Sequence, residues 1–390
     1  MKIAIITLNN PFEKISGGIE SAVYNLSRAL ASLGHEVWIV CLGSVEKHII
    51  RREDNVNLWI LPCSKRNGIF TKSLAFIKYG RKAIHELENR GVTIFNGQGG
   101  LSSPLVFYKP RKAKVIFTIH TLDGENIANI KDCARMKKNM ELMLEIIKYL
   151  LLKLWRMLYL SRSDYLIFIS KFVREEFLKY YWFLRGKKTF LVQNGFPKEY
   201  INLETCEKKY DFCYIGRLDK RKCVDLIVNA SRILKGGYQF SIIIIGDGPW
   251  RRDIEKIIEK NSLKQYISIA GYITYDKIST YILNSKFLIL PSSYEIDPLI
   301  VKEALALGTP CIVSNIQPLI ERIKDGHNGF LFTCYSYLSL SAAMEKALRL
   351  DMESYLRISR NAKLLLERIT WDDVAKKYIE IFRIIACNDD

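Results

Sequence analysis

A chain of 390 residues is too long for one ordinary hydrophobic core, so two domains are expected, and its 49% of hydrophobic residues excludes a disordered polymer. The formal net charge of +18 implies an acidic partner (nucleotide phosphate, anionic lipid or nucleic acid) or a solvated lysine-rich surface. No run reaches the roughly 18 uninterrupted apolar residues of a membrane span. The nine cysteines are odd in number and form no Cys-x-x-Cys pair, which fits reduced cytosol and argues against a disulfide framework or a zinc site.

The start, MKIAIITLNN, reads as a first strand rather than a signal peptide. The strand-like runs that follow are HEVWIVCL, VNLWILP, VTIFNG, KVIFTIH, YLIFIS and KTFLVQN, then YDFCYIG, FSIIIIG, YISIAGY, KFLILPS, TPCIVSN and NGFLF. They are apolar on both faces and alternate with helical patterns, as parallel strands covered on two sides require. The fold class is therefore α/β with two doubly wound sheets. The polar, aperiodic stretch from Pro197 to Tyr210 suggests a linker. Three amphipathic helices without further strands form the tail.

Ligands of parallel sheets gather beyond the carboxyl ends of the strands. After the first strand, Gly17 and Gly18 precede a helix, where backbone amides can approach an anion or simply make a tight turn. After KVIFTI stands His120, at an active-site rim or in a structural role. After YDFCYIG come Arg217, Lys220, Arg221 and Lys222 before a helix; a bound diphosphate would offset cations at that positive helix end, and a solvated basic turn is the plainer reading. FSIIIIG is followed by Asp247, Gly248 and Pro249, a turn explicable by structure alone. The densest constellation runs from Pro291 to Pro310. Here Glu295 lies in a loop, Asp297 is the expected N-cap, Pro298 the expected first helical residue, and Glu303 falls in the second turn. Two carboxylates flanking a positive helix end suit a ligand with diols around a central charge, which is the pattern of a nucleotide-sugar.

Taken together, GGIESAVYNLSRALASLGHEV, the His120 strand end, SKFVREEF, VQNG at 192–195, YIGRLDKRK, IIGDGP, ILPSSYEIDPLIVKEALALGTPCIVSN and DGHNGFLF resemble family 4 of the retaining glycosyltransferases, also called glycosyl transferases group 1, over nearly the whole chain. The resemblance implies the GT-B fold: two Rossmann-like domains facing an interdomain cleft, with C-terminal helices. On that pattern residues 1–197 form an acceptor domain, 198–209 a linker, 210–370 a donor domain, and 371–390 a helix packing back on the first domain. It implies transfer of a hexose-type sugar from a nucleotide-diphosphate sugar to a glycan or lipid-linked acceptor, with retention and with no cofactor or metal. Arg217 and Lys222 would neutralise the diphosphate, Glu303 would bind ribose hydroxyls, and Glu295 would bind the transferred sugar. Pro298, Leu299 and Ile300 would line the donor site at the helix start. Gly17 and Gly18 would admit backbone to the phosphate, and His120 would contact the sugar near its anomeric carbon. Glu295 is not assigned as a nucleophile, because the leaving phosphate oxygen would take the acceptor proton.

Two departures stand out. Ile296-Asp297-Pro298 replaces the common Gly-Phe-Gly, which bears on sugar identity, and Cys223 stands where a glycine commonly follows the lysine. A same-fold epimerase or phosphorylase and a catalytically inactive nucleotide-sugar-binding subunit are the alternatives. A nucleic-acid partner is not expected, since no helix-turn-helix, RNP-like or zinc module is visible. Within 134–160, the eight charged residues fall inside an arc of about 160° at 100° per residue, opposite Met140, Met143, Ile147, Leu150, Leu151 and Leu154. Such a helix either lies in an anionic membrane surface, making the enzyme cytoplasmic and peripheral on the inner face, or packs on the sheet with its cations in water.

Overall fold

The computed structural model describes residues 1–15, 17–63, 69–99, 104–120, 139–203, 207–365 and 369–387. The chain forms two compact units, one made of 1–14, 19–194 and 371–390, the other of 15–18 and 195–370. Each is built on a parallel sheet between helices, the doubly wound class that the apolar runs demand.

In the first unit the strands are β1 (Lys2–Asn9), β2 (Glu36–Gly43), β3 (Ile49–Glu53), β4 (Val56–Pro62), β5 (Ile94–Gln98), β6 (Lys114–Ile119), β7 (Tyr165–Phe168) and β8 (Thr189–Leu191). Their order is β3-β4-β2-β1-β5-β6-β7-β8. The helices are α1 (Gly18–Ser32), α2 (Ile69–Asn89), α3 (Pro104–Phe107), α4 (Asn139–Arg162) and α5 (Lys171–Tyr180). Ser170 caps α5, its hydroxyl accepting from the Val173 amide at 3.1 Å. Only β3 was not legible as a strand. It is antiparallel, sits at the sheet edge, and reads IIRRE, with none of the double-sided apolarity used to find the others. Its arginines are what an edge needs to discourage pairing with another chain.

The second unit holds β9 (Tyr210–Ile215), β10 (Ile242–Ile245), β11 (Ile267–Gly271), β12 (Ser285–Leu290), β13 (Cys311–Ser314) and β14 (Gly329–Phe332), in the order β11-β10-β9-β12-β13-β14 and all parallel. Its helices are α6 (Asp225–Leu234), α7 (Arg251–Lys260), α8 (Ile278–Leu283), α9 (Leu299–Ala306), α10 (Gln317–Ile320), α11 (Tyr337–Leu348) and α12 (Met352–Leu365). Phe212, Phe287, Leu288 and Ile312 are fully buried at its centre. The expected linker begins as a 3-10 turn, Lys198–Ile201, whose Tyr200 is buried in this same core beside Phe196. Its polar letters hid one aromatic anchor, Tyr200, and residues 204–206 lie outside the described residues. The last helix, α13 (Trp371–Cys387), belongs to the first unit, where its buried Tyr378 hydroxyl meets Thr118 Oγ1 on β6 at 3.1 Å.

Strand order matters most at β9 and β12. From β9 the chain winds outward through β10 and β11, and from β12 the other way through β13 and β14. The loops after β9 and β12 therefore leave neighbouring strands toward connections that run in opposite directions, the switch point at which doubly wound sheets bind ligands. The loops after β9 and β10 also touch closely. Gly246 has φ +136, and a Cβ there would stand 1.8 Å from the Gly216 carbonyl oxygen. A Cβ on Gly248 would stand 2.3 Å from that of Leu218. Only glycine permits this approach.

Candidate active site

The first half of the site is the turn after β9. Fully buried Tyr214 donates its hydroxyl to the Arg217 carbonyl at 2.8 Å, fixing the backbone where the strand ends. The amide of Leu218 bonds to Asp247 O at 3.0 Å, tying this turn to the one after β10. Lys220–Lys222 then form a 3-10 turn capped by Asp219, whose carboxylate accepts from the Arg221 amide at 3.1 Å. Asp219 also lies 3.6 Å from Arg217 Nε and 3.3 Å from Arg221 Nη2. Cys223 closes the turn in the left-handed region, with φ +48. A glycine takes that conformation without strain, which is the physical content of the departure noted in the sequence.

The second half is the loop after β12. Ser293 bonds back to the Arg221 carbonyl through its amide, 2.8 Å, and its hydroxyl, 3.1 Å, so the two loops are stitched together. Across this seam Lys222 Nζ meets Glu295 Oε1 at 2.5 Å, both side chains mostly withdrawn from solvent. Arg217, by contrast, is exposed.

The start of α9 differs from the expectation. Pro298 occupies the capping position, helix begins at Leu299, and no side chain caps it. Asp297 does not act as an N-cap. Its buried carboxylate is shared by Lys302, at 3.1 Å, and Arg322. Two cations outcompete the weaker backbone donors for a buried carboxylate. Since proline lacks a donor, the first free amides of α9 are those of Leu299 and Ile300. Glu303, one turn further on, is buried and accepts from the Tyr275 hydroxyl at 2.6 Å. Burial pushes its carboxyl up to about 7, and the Tyr275 bond opposes that rise by stabilising the ionised form.

In the first unit His120 lies buried just past the end of β6, with Nε2 2.6 Å from Gln98 Oε1. The Gln98 amide turns its nitrogen to Asn96 Oδ1 and its oxygen to the ring. Asn96 in turn donates to Thr118 Oγ1 at 3.1 Å. Gly17 and Gly18 are exposed at the start of α1, and a Cβ on Gly18 would meet nothing within 4 Å, so internal packing does not demand glycine there.

Two family models match successive stretches of this chain: "Glycosyltransferase Family 4" over residues 16–200 and "Glycosyl transferases group 1" over residues 198–365. The chain is a family 4 glycosyltransferase. A glycosyltransferase of Methanocaldococcus jannaschii is 24% identical to it over 98% of this chain and 99% of its own. Sucrose-phosphate synthase from Thermosynechococcus elongatus shares the fold with a TM-score of 0.78 at 20% identity, covering 100% of both chains. HepE from Anabaena, solved with UDP and glucose, does so with a TM-score of 0.72 at 13% identity, over 98% of this chain and 99% of its own. These likenesses establish the GT-B fold.

In this glycosyltransferase the structure brings Lys222 against Glu295 and sets Arg217 and Glu303 on the loop and helix that flank the same switch point. Tyr275, Tyr214 and the Asp297–Lys302–Arg322 cluster were missed by sequence reasoning. Tyr275 lies 28 residues from Glu303 in a polar turn, and nothing in its spacing announces the contact. Lys302 and Arg322 carried no signal beyond their charge. Gln98 was hidden inside an apolar strand.

The buried ion cluster is testable. Replacing Asp297 by Ala leaves Lys302 with an uncompensated charge and is expected to cost about 3–5 kcal/mol of unfolding free energy, read as a shift of the denaturant midpoint. A loss below about 1 kcal/mol would show that the cluster is already hydrated and structurally dispensable.

Proposed function

We propose that this glycosyltransferase moves a hexose-type sugar from a nucleotide-diphosphate sugar to a glycan or lipid-linked acceptor, with retention of anomeric configuration and without a metal, as a peripheral protein at the inner membrane face. The observation that carries the reading is the joining of a cationic turn, Arg217 to Lys222, to the carboxylate-bearing loop and helix of Glu295 and Glu303 beside one switch point.

In this reading Arg217, Lys222 and the open amides of Leu299 and Ile300 hold the diphosphate. Pro298 sets where that helix end begins. Glu303, steadied by Tyr275, accepts the ribose hydroxyls, and Glu295 accepts those of the sugar. The bond from the anomeric carbon to the diphosphate oxygen breaks while the acceptor oxygen bonds to that carbon on the same face. The acceptor proton passes to the leaving phosphate oxygen. The pairing of Glu295 with Lys222 favours a hydroxyl-binding role over a nucleophilic one. The assignments of His120 to the sugar and of Gly17 and Gly18 to backbone approach rest on the family pattern; the open space at Gly18 suits the latter. That HepE was solved with UDP and glucose supports a nucleotide-sugar donor.

The test is a panel of nucleotide sugars with and without candidate acceptors, following release of nucleoside diphosphate. Release that requires acceptor supports transfer, whereas release or interconversion without one would favour an epimerase or phosphorylase. Arg217→Ala and Lys222→Ala should each lower turnover by roughly a hundredfold or more, as loss of one preorganised donor does. Full activity in both would sink the diphosphate assignment.

Chelation should leave turnover unchanged, because fixed cations hold the leaving group. Abolition by EDTA with recovery on manganese would refute this part of the reading.

A less obvious consequence follows from the Lys222–Glu295 pair. Nucleoside diphosphate must draw Lys222 away from a carboxylate that also repels the incoming anion. Glu295→Gln should therefore tighten binding of free nucleoside diphosphate, by about three- to tenfold, while turnover falls. Calorimetric titration showing no gain in affinity would rule out this exchange of partners.

A further inference from the structure

Helix α4 is inverted relative to an ordinary surface helix. Among its 24 residues, ten large apolar side chains are exposed, including Met140 at 71%, Leu151 at 63%, and Leu144, Ile147, Leu150 and Leu154. Among the described side chains, those turned toward the unit are Leu142, Glu145, Tyr149, Lys153 and Arg156, all half-buried, and Leu160, fully buried, with Lys153 Nζ 5.9 Å from the Tyr149 ring. This excludes the arrangement in which the apolar face packs on the sheet and the cations face water. Phe107, at the end of the adjacent α3, is 58% exposed as well. A contiguous apolar surface of this kind is rare on a free soluble protein and marks an interaction site.

Charge says what covers it. At the helix's C-terminal end, Lys187 donates to the Leu160 carbonyl at 2.8 Å and to that of Ser163, and Lys109 pairs with Asp164 at 2.5 Å. These contacts gather the exposed Arg111, Lys112, Arg162, Arg185 and Lys188 around that end. Residues 134–138 lie outside the described residues. A second copy of this chain would bring +18 against +18. An anionic bilayer supplies both an apolar layer for the face and negative headgroups for the cations. Among the described residues no helix is long and apolar enough to cross a membrane, so the contact is a lying one.

We infer that the outward apolar face of α4 inserts into the headgroup–acyl boundary of an anionic membrane, with the cations of Arg111, Lys112, Arg162, Arg185 and Lys188 on its headgroups. This deepens the membrane part of the proposed function. Titration of the same proteins with nucleoside diphosphate reports on the donor-site reading separately.

The experiment is flotation of the full chain with vesicles of phosphatidylcholine and phosphatidylglycerol in equal parts, and with phosphatidylcholine alone, beside sedimentation velocity. Two variants are compared: Leu144→Ser, Ile147→Ser and Leu151→Ser combined, and Arg111→Glu with Lys112→Glu. The wild type should float with the anionic vesicles and much less with the neutral ones. The serine variant should lose about a hundredfold in partitioning, and the glutamate variant about tenfold, on anionic vesicles only. Both variants change exposed positions, and unchanged circular dichroism certifies their fold. Should the serine variant unfold, the glutamate variant decides. Wild-type protein that stays unbound, partitioning indifferent to both variants, or a wild-type dimer that the serines dissociate without vesicle binding would each overturn the inference.

Discussion

Parallel pairing outward in both directions from β9 and β12 is the constraint on which the second unit's chemistry depends. Parallel strands deliver every loop that follows a strand to the same edge, and the connections run in opposite directions only where the winding reverses. Arg217, Lys222, Glu295 and Glu303 sit on the two segments that leave that reversal. The close approach at Gly246 and Gly248 ties the loop after β9 to the one after β10, and the Ser293 bonds to the Arg221 carbonyl tie it to the loop after β12. The charged groups are thus carried by backbone anchored to a buried sheet, the condition for electrostatic preorganisation.

The electrostatics show how such a site stays folded without its ligand. Lys222 and Glu295 neutralise one another, Asp219 answers Arg217 and Arg221, and Tyr275 supplies the hydrogen bond that a buried Glu303 needs. Asp297 takes the opposite course: it is ion-paired with Lys302 and Arg322, side chains of the same unit, beside the start of α9. A proline in the capping position and a carboxylate bound elsewhere together leave the helix's first amides without an internal partner from either residue.

Helix α4 illustrates the limit of amphipathicity as a signal. Its two faces are separable by period alone, yet period is indifferent to which face meets the protein. Among its described side chains, Glu145, Lys153 and Arg156 are half-buried while ten large apolar ones are exposed, so that apolar surface is left to contacts outside the chain.

The sequence by itself determined the fold class and most of its elements, because parallel strands buried on both faces must be continuous apolar runs, and thirteen such runs became strands. It also singled out Arg217, Lys222, Glu295 and Glu303 as candidates, because ligands of a parallel sheet gather past the ends of its strands, and the roles of these residues are proposals. It missed β3, whose exposed edge carries arginines, and within the stretch read as a linker it gave no sign that Tyr200 is buried in the second core. Partner choice was settled only in three dimensions. Asp297 turned from helix cap to ion-pair centre, Tyr275 reached Glu303, Gln98 oriented His120, and α4 turned its apolar side outward. In each case the groups lie far apart in the chain or compete for alternatives of similar local energy, and only burial together, with the desolvation it imposes, selects among them.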